Sequence, residues 1–306
     1  MLGTKARKQA PGARFIDPQI LARIDNLELV ARSVVDGFIS GLHRSPYLGL
    51  SIDFAEHRPY MPGDDIRRID WRVFGRTDRF YVKEFEADTN ANFSVILDVS
   101  RSMDFGSAGI TKLDYAKFLA ASLTYLSSRQ RDRVGLVTFD RDIVEIVPPS
   151  AKHLEIVLHT LDRAEATREG DFHGTLKKIA ESFRRRSVIV LISDFYEEPN
   201  AVMSAVNQLR QKGNDLIVFH VLDPAEVSFT YEQPLNFEDL ETGEQVQVVP
   251  AAMREQYQAM VLEHRETIAR VMGDNRVDYA FYDTSTPLDL ALFKYLLNRQ
   301  RMSRVR

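Results

Sequence analysis

From Phe93 onward the chain alternates short apolar runs with amphipathic stretches, and this alternation constrains its fold more than any other feature. The runs "FSVILDV", "RVGLVTF", "DIVEIV", "SVIVLIS", "DLIVFHVL" and "VDYAFYD" read as strands. Several are Val/Ile/Leu-rich without polar alternation, as expected of strands covered on both faces. Helical patterns fall between them at 112–129, 152–164, 174–185, 199–212, 250–272 and 287–298. Two-sided strands alternating with helices predict a doubly wound, mostly parallel α/β sheet. Residues 228–249 break the alternation with short β-like pieces around "ETGEQ" and read as a β insertion in a domain spanning 93–300.

Three segments precede that domain. Residues 1–17 are basic, lack the apolar stretch of a secretory signal, and read as a flexible tail. Residues 18–43 place Ile20, Ile24, Leu27, Ala31, Val34, Phe38 and Leu42 near helical spacing, so one amphipathic helix is expected. Residues 44–92 read as a small β-subdomain. In it "LGLSIDF" and "RFYVKEFEA" flank the turn-rich "EHRPYMPGDDIRRIDW", where Pro62 and Gly63 mark a turn and Asp64 or Asp65 can cap a short helix.

Composition removes several function classes. The chain has 306 residues and no cysteine, which excludes disulfides, thiol catalysis and cysteine-ligated metal centres. A net charge of −4 gives no reason to expect nucleic acid or membrane attraction. No apolar run approaches the ~20 residues of a membrane span. A cytoplasmic location, peripheral to a membrane at most, is the expectation. There is no Walker A loop, no Gly-x-Ser-x-Gly elbow and no His-Glu-x-x-His.

The chemistry concentrates where the first strand ends, in "FSVILDVSRSMDFG". Asp98, Ser100 and Ser102 follow one another at two-residue spacing, and Asp194 closes the strand "SVIVLIS". In open α/β sheets ligands bind beyond the carboxyl ends of the strands. An all-oxygen set there suits a hard cation, Mg²⁺ first, with Mn²⁺ or Ca²⁺ as alternatives. The competing reading is a helix cap, because Ser and Asp are also preferred capping residues.

"DVSRSM" resembles the metal-ion-dependent adhesion site of von Willebrand factor A domains, and the strand–helix order from Phe93 resembles that fold. "EHRPYMPGDDIRRIDWRVFGRTDRFYVKEFEAD" resembles the bacterial family catalogued as domain of unknown function 58. The resemblance implies that Asp98, Ser100 and Ser102 contact the ion and that Asp194 acts through water. It also implies a threonine ligand one short loop before the next helix. Counting back from Leu176 instead reaches Gly170, leaving Thr167, Asp171 and Thr175 as weaker candidates. The resemblance further implies partnership with a MoxR-type AAA+ ATPase. On this view the chain is a non-enzymatic, divalent-cation-dependent protein-binding module, an adaptor or co-chaperone in assembling a complex.

Two alternatives stay open: a Mg²⁺-dependent phosphatase-like hydrolase using Asp98, and a scaffold with a vestigial site. Tyr60, Asp64, Asp65, Arg67, Arg68, Asp70 and Trp71 form a second candidate, read either as a charge-paired turn or as a docking surface.

Overall fold

The computed structural model describes residues 17–44, 56–60, 71–84, 91–107, 109–183, 185–240, 243 and 245–304. The chain divides into two compact units, 1–14 with 36–90 and 15–35 with 91–306. The N-terminal helical pattern forms two helices rather than one: α1 (Pro18–Leu21) and α2 (Leu27–Arg44). Local capping breaks it. Asp17 Oδ1 accepts from Gln19 N to start α1, and Asn26 Oδ1 accepts from Leu29 N to start α2.

In the smaller unit, β1 (Glu56–Pro59) pairs antiparallel with β2 (Tyr81–Glu84), and α3 (Trp71–Thr77) lies between them in sequence. The first strand is therefore "EHRP", which the sequence reading had assigned to the turn-rich middle. The "LGLSIDF" segment lies outside the described residues. Phe74 stacks on Phe80 at 4.4 Å between ring centroids, and Tyr60 and Trp71 meet Phe80 edge-on.

The larger unit is the expected doubly wound α/β domain, with a mostly parallel sheet and flanking helices. Its elements are β3 (Asn92–Asp98), α4 (Lys112–Arg129), β4 (Arg133–Phe139), β5 (Ile143–Ser150), α5 (Leu154–Asp162) and α6 (Phe172–Ser182). There follow β6 (Ser187–Ser193), α7 (Pro199–Arg210), β7 (Asp215–Leu222), α8 (Pro224–Ser228), the hairpin β8 (Leu235–Glu238) and β9 (Gln245–Val248), α9 (Pro250–Asp274), β10 (Asp278–Asp283) and α10 (Leu288–Arg304). The sheet order is β10-β7-β6-β3-β4-β5. All neighbours are parallel except β4 and β5. Only Asp140, Arg141 and Asp142 join that pair, too short a link for the crossover of a dozen or more residues that parallel pairing needs. The expected β insertion is the β8–β9 hairpin, paired antiparallel with Leu235 opposite Val248.

Right-handed crossovers decide where the helices lie. The chain leaves β3 through α4 toward β4, but leaves β6 through α7 in the opposite direction, toward β7. The two helices therefore cover opposite faces. α4 packs with α5 and α10, and α7 packs with α6 and α9. Phe93, Val95, Ile96 and Leu97 of β3, and Ile189 to Ile192 of β6, are fully buried between these layers. At ~1.5–3 kcal/mol for each large apolar side chain buried, this sandwich dominates the stability of the domain. It also creates a switch point between β3 and β6, where connections diverge and the sheet's carboxyl edge is left open.

Candidate metal-binding cleft

The pleat and register of β3 and β6 bring the site together. Leu97 lies opposite Ile192, so Asp98 falls beside Ser193 and one residue from Asp194. Ser193 Oγ donates to Asp98 Oδ2 at 2.6 Å, and Ser100 N donates to Asp98 Oδ1 at 2.9 Å. Asp98 is almost fully buried. That burial, and then the neighbouring charge of Asp194, pushes its carboxyl up to about 7. No Lys, Arg or His lies within ion-pair distance of Asp98 among the described residues. Its carboxylate is held by hydrogen bonds alone.

After β3 the chain makes a single 3-10 turn, Arg101–Asp104, which carries Ser102 back beside Ser100. Their Oγ atoms are 3.1 Å apart. Met103 of the same turn is completely buried and anchors it. Neither serine side chain caps this turn, and α4 is capped further on by Thr111 and Asp114 in a reciprocal capping box. The helix-cap reading of the two serines therefore has no hydrogen bond behind it. The loop between turn and helix closes tightly at Gly106, where a Cβ would lie 2.1 Å from the carbonyl oxygen of Ile110. On the opposite strand, Phe195 follows Asp194 in the left-handed region at φ 49, strained for a residue with a side chain.

The structure adds a cation that the sequence reading missed. Lys112 is the first residue of α4 and wholly buried. Its Nζ lies 2.8 Å from Asp194 Oδ2 and 2.7 Å from Glu226 Oε1. It also sits over the Tyr196 ring, 4.7 Å from the centroid. A lysine at a helix N-terminus opposes the helix dipole, so this position needs the two acids to hold it. Burial alone would pull Lys112 down, but Asp194 and Glu226 more than offset this and leave it raised. Glu226 is itself positioned by the capping box it forms with Asp223 at the start of α8. The signal was present in "DPAE" after strand "DLIVFHVL", but only the fold joins it to Lys112.

These groups line one cleft of about 500 Å³. Asp98, Ser100, Ser102, Lys112, Asp194 and Glu226 form its floor. Tyr196, Glu197 and the hairpin residues Glu238, Asp239 and Leu240 form its rim. Gly170 lines it where the resemblance calls for a threonine. The three weaker candidates are not brought to this cleft. Thr175 is buried and donates to the Arg141 carbonyl at 3.0 Å, Asp171 caps α6 by accepting from Gly174 N, and exposed Thr167 lines a neighbouring pocket. Among the described residues no group of three or more His, Asp and Glu is spaced to hold a metal.

Of the second candidate, Asp64, Asp65, Arg67, Arg68 and Asp70 lie outside the described residues. Tyr60 is half-buried and Trp71 is 59% exposed.

The family described as "Protein of unknown function DUF58" matches residues 56–267, more than half of the chain. The chain belongs to the DUF58 family. An uncharacterized protein of Mycobacterium tuberculosis strain H37Rv, Rv1480, is 30% identical over 263 residues, covering 84% of this chain and 82% of the relative. The same identity and coverage hold for an uncharacterized protein of Mycobacterium bovis. Among solved structures, the conserved hypothetical protein BatB from Bacteroides thetaiotaomicron is similar at 17% identity and TM-score 0.47, covering 69% of this chain and 99% of that one. The VWA domain of SpRpn10 is similar at 13% identity and TM-score 0.40, covering 65% and 92%. In this DUF58 chain the Asp98–Ser102 loop lies inside the matched region, and so does the β8–β9 hairpin that rims the cleft.

Proposed function

We propose that this protein is a non-enzymatic binding module whose cleft holds a divalent cation, Mg²⁺ before Mn²⁺ or Ca²⁺, and that the ion captures an acidic side chain of a protein partner. The observation that carries this reading is Asp98, a buried carboxyl without a cation, beside two hydroxyls on the floor of an open cleft. Two oxygens on one edge of an octahedral shell with ~2.1 Å bonds are ~3 Å apart, and the two serine oxygens are 3.1 Å apart. In this reading Asp98, Ser100 and Ser102 contact the ion, and Asp194 orients a bound water. A bound cation supplies a site that attracts an external carboxylate. Lys112 neutralises Asp194, so the direct shell carries one full negative charge and keeps its affinity for a partner's acid. The family resemblance points to a MoxR-type AAA+ ATPase or its client as that partner, with the protein acting as adaptor in assembling a complex.

Two observations favour a scaffold with a vestigial site instead. Gly170 offers no side-chain oxygen, and Lys112 already fills part of the cleft with positive charge. Calorimetric titration with Mg²⁺ and Mn²⁺ separates the two readings. The metal reading expects binding heat that disappears in Asp98→Ala, and partner capture that is lost in EDTA. Absence of heat and of any thermal shift in the unaltered protein would leave the scaffold.

A further inference from the structure

A second pocket of about 300 Å³ lies beside the cleft, lined by Arg101, Arg141, Thr167, Arg168 and Glu169. The two cavities share a wall. Ser100 faces the cleft while Arg101, the next residue, lines the pocket. Gly170 likewise faces the cleft while Glu169 lines the pocket. The wall is pinned by an isolated parallel bridge between Ser100 and Arg168, in which Arg101 N donates to the Arg168 carbonyl at 2.7 Å.

The charge of the pocket is opposite to that of the cleft. Three arginines face one glutamate. Arg168 Nε donates to the buried Asp140 Oδ2 at 2.8 Å, which fixes the guanidinium and leaves its other N–H groups as donors. Among the described residues, Arg101 and Arg141 have no carboxylate partner. All three arginines are solvent-exposed, so no internal packing accounts for their convergence. Guanidinium groups recognise carboxylates through paired, planar hydrogen bonds.

We infer that the Arg101–Arg141–Arg168 pocket is an anion subsite that docks carboxylates of an acidic protein segment next to the cleft. The subsite stands on the arginines alone; only the delivery of a further carboxylate to a cation in the cleft rests on the function proposed above. The charge layout also gives the segment a direction. Acid is welcomed on the arginine side and repelled on the other by the exposed Glu238 of the cleft rim. The chain's net charge of −4 does not attract a long polyanion such as nucleic acid, which favours a short acidic peptide that meets only the arginines.

Fluorescence anisotropy of a rhodamine-labelled Glu-Gly-Glu-Gly-Glu peptide tests the inference, with Mg²⁺ present, on the full chain. Arg101→Ala combined with Arg141→Ala alters only exposed side chains. The expected result is binding weakened by about tenfold or more, with loss of the salt dependence that charge–charge docking produces. Mg²⁺ affinity by calorimetry should stay unchanged in that variant. Peptide affinity equal to the unaltered protein's would overturn the subsite, even with normal Mg²⁺ binding. Arginine-dependent binding of a single-stranded oligonucleotide tighter than that of the peptide would also overturn it. Asp98→Ala keeps the two ideas apart: arginine-dependent peptide binding that persists there, with no Mg²⁺ heat in any form of the protein, supports the subsite while removing the cation.

Discussion

Lys112 Nζ and Asp194 Oδ2 are 2.8 Å apart with both side chains shut off from solvent, and this pair joins the first turn of α4 to the end of β6. A buried pair of this kind adds little stability compared with apolar packing, yet is costly to break from one side. It explains why Asp194 can sit beside Asp98 without a second unpaired charge. With Glu226 as a further partner, the ammonium sets the electrostatics of the whole cleft floor.

Lys112→Met should therefore lower stability by about 3–5 kcal/mol, because Asp194 and Glu226 would be left buried without a counter-charge. Urea denaturation of the variant measures this. A loss below about 1 kcal/mol would mean that water reaches the two acids and that the pair is not sealed.

Asp98 should make the protein pH-sensitive in the absence of divalent ions. Its folded pKa is raised from 3.8 to about 7, so the folded state holds a proton that the unfolded chain releases. The associated stability is complete below about 4 and is lost as pH rises toward 7, by an amount on the order of a few kcal/mol. Asp98→Asn should flatten that part of the profile and raise the melting temperature at pH 8. An unchanged profile in the variant would show that the carboxyl is ionised at neutral pH without penalty.

His220 should act in the opposite sense. Burial, and then the neighbouring His264, lowers it from 6.5 to about 3, so it stays neutral in the fold. Its Nδ1 is 2.8 Å from the Tyr279 hydroxyl. Stability from this group is present above about 6.5 and is lost as pH falls toward 3, because the unfolded chain takes up the proton first. Replacing His220 with Gln should remove the acid-side slope that remains in Asp98→Asn. Chemical denaturation of the double variant between pH 4 and 8 checks that the two slopes separate.

Gly106→Ala should disturb the loop that carries Lys112 into place. The added Cβ would lie 2.1 Å from the Ile110 carbonyl oxygen, a backbone atom that cannot rotate away. A cost of about 1–3 kcal/mol is expected, as for other forced overpacking. Weaker Mg²⁺ binding should accompany it, measured by calorimetry. Full stability would mean that the Phe105–Thr111 loop shifts freely, and that Lys112 does not depend on it.

Much of the α/β domain was legible because its signals are local and mutually consistent. Unbroken apolar runs such as "SVIVLIS" can only be strands covered on both faces, and helical periodicity fills the gaps between them. The N-terminal helix was less legible, because Asn26 restarts capping in the middle of an otherwise continuous apolar stripe. The β1 strand was missed because "EHRP" has no β pattern of its own. It pairs because Tyr81–Glu84 lies opposite it. Lys112 was invisible as a site residue, since its two partners are 82 and 114 positions away.

The strand-end aspartates show where sequence stops and tertiary structure begins. All five parallel strands end in or run directly into an aspartate: Asp98, Asp140, Asp194, Asp223 and Asp283. The sequence alone determined that acids would gather at the carboxyl edge of the sheet, because each follows an apolar run that must be a strand. It could not say which acids are already satisfied. Asp140 is tied to Arg168, Asp223 holds Ser107 and Ala225, and Asp283 holds Ser285 and Thr286. Asp194 is paired with Lys112, whereas Asp98, like Asp223 and Asp283, is held by hydrogen bonds without a cation among the described residues; of these three only Asp98 lines the cleft with the two serine hydroxyls. That difference is set by long-range neighbours, because a carboxylate's charge is decided by the groups packed around it rather than by the residues beside it in the chain.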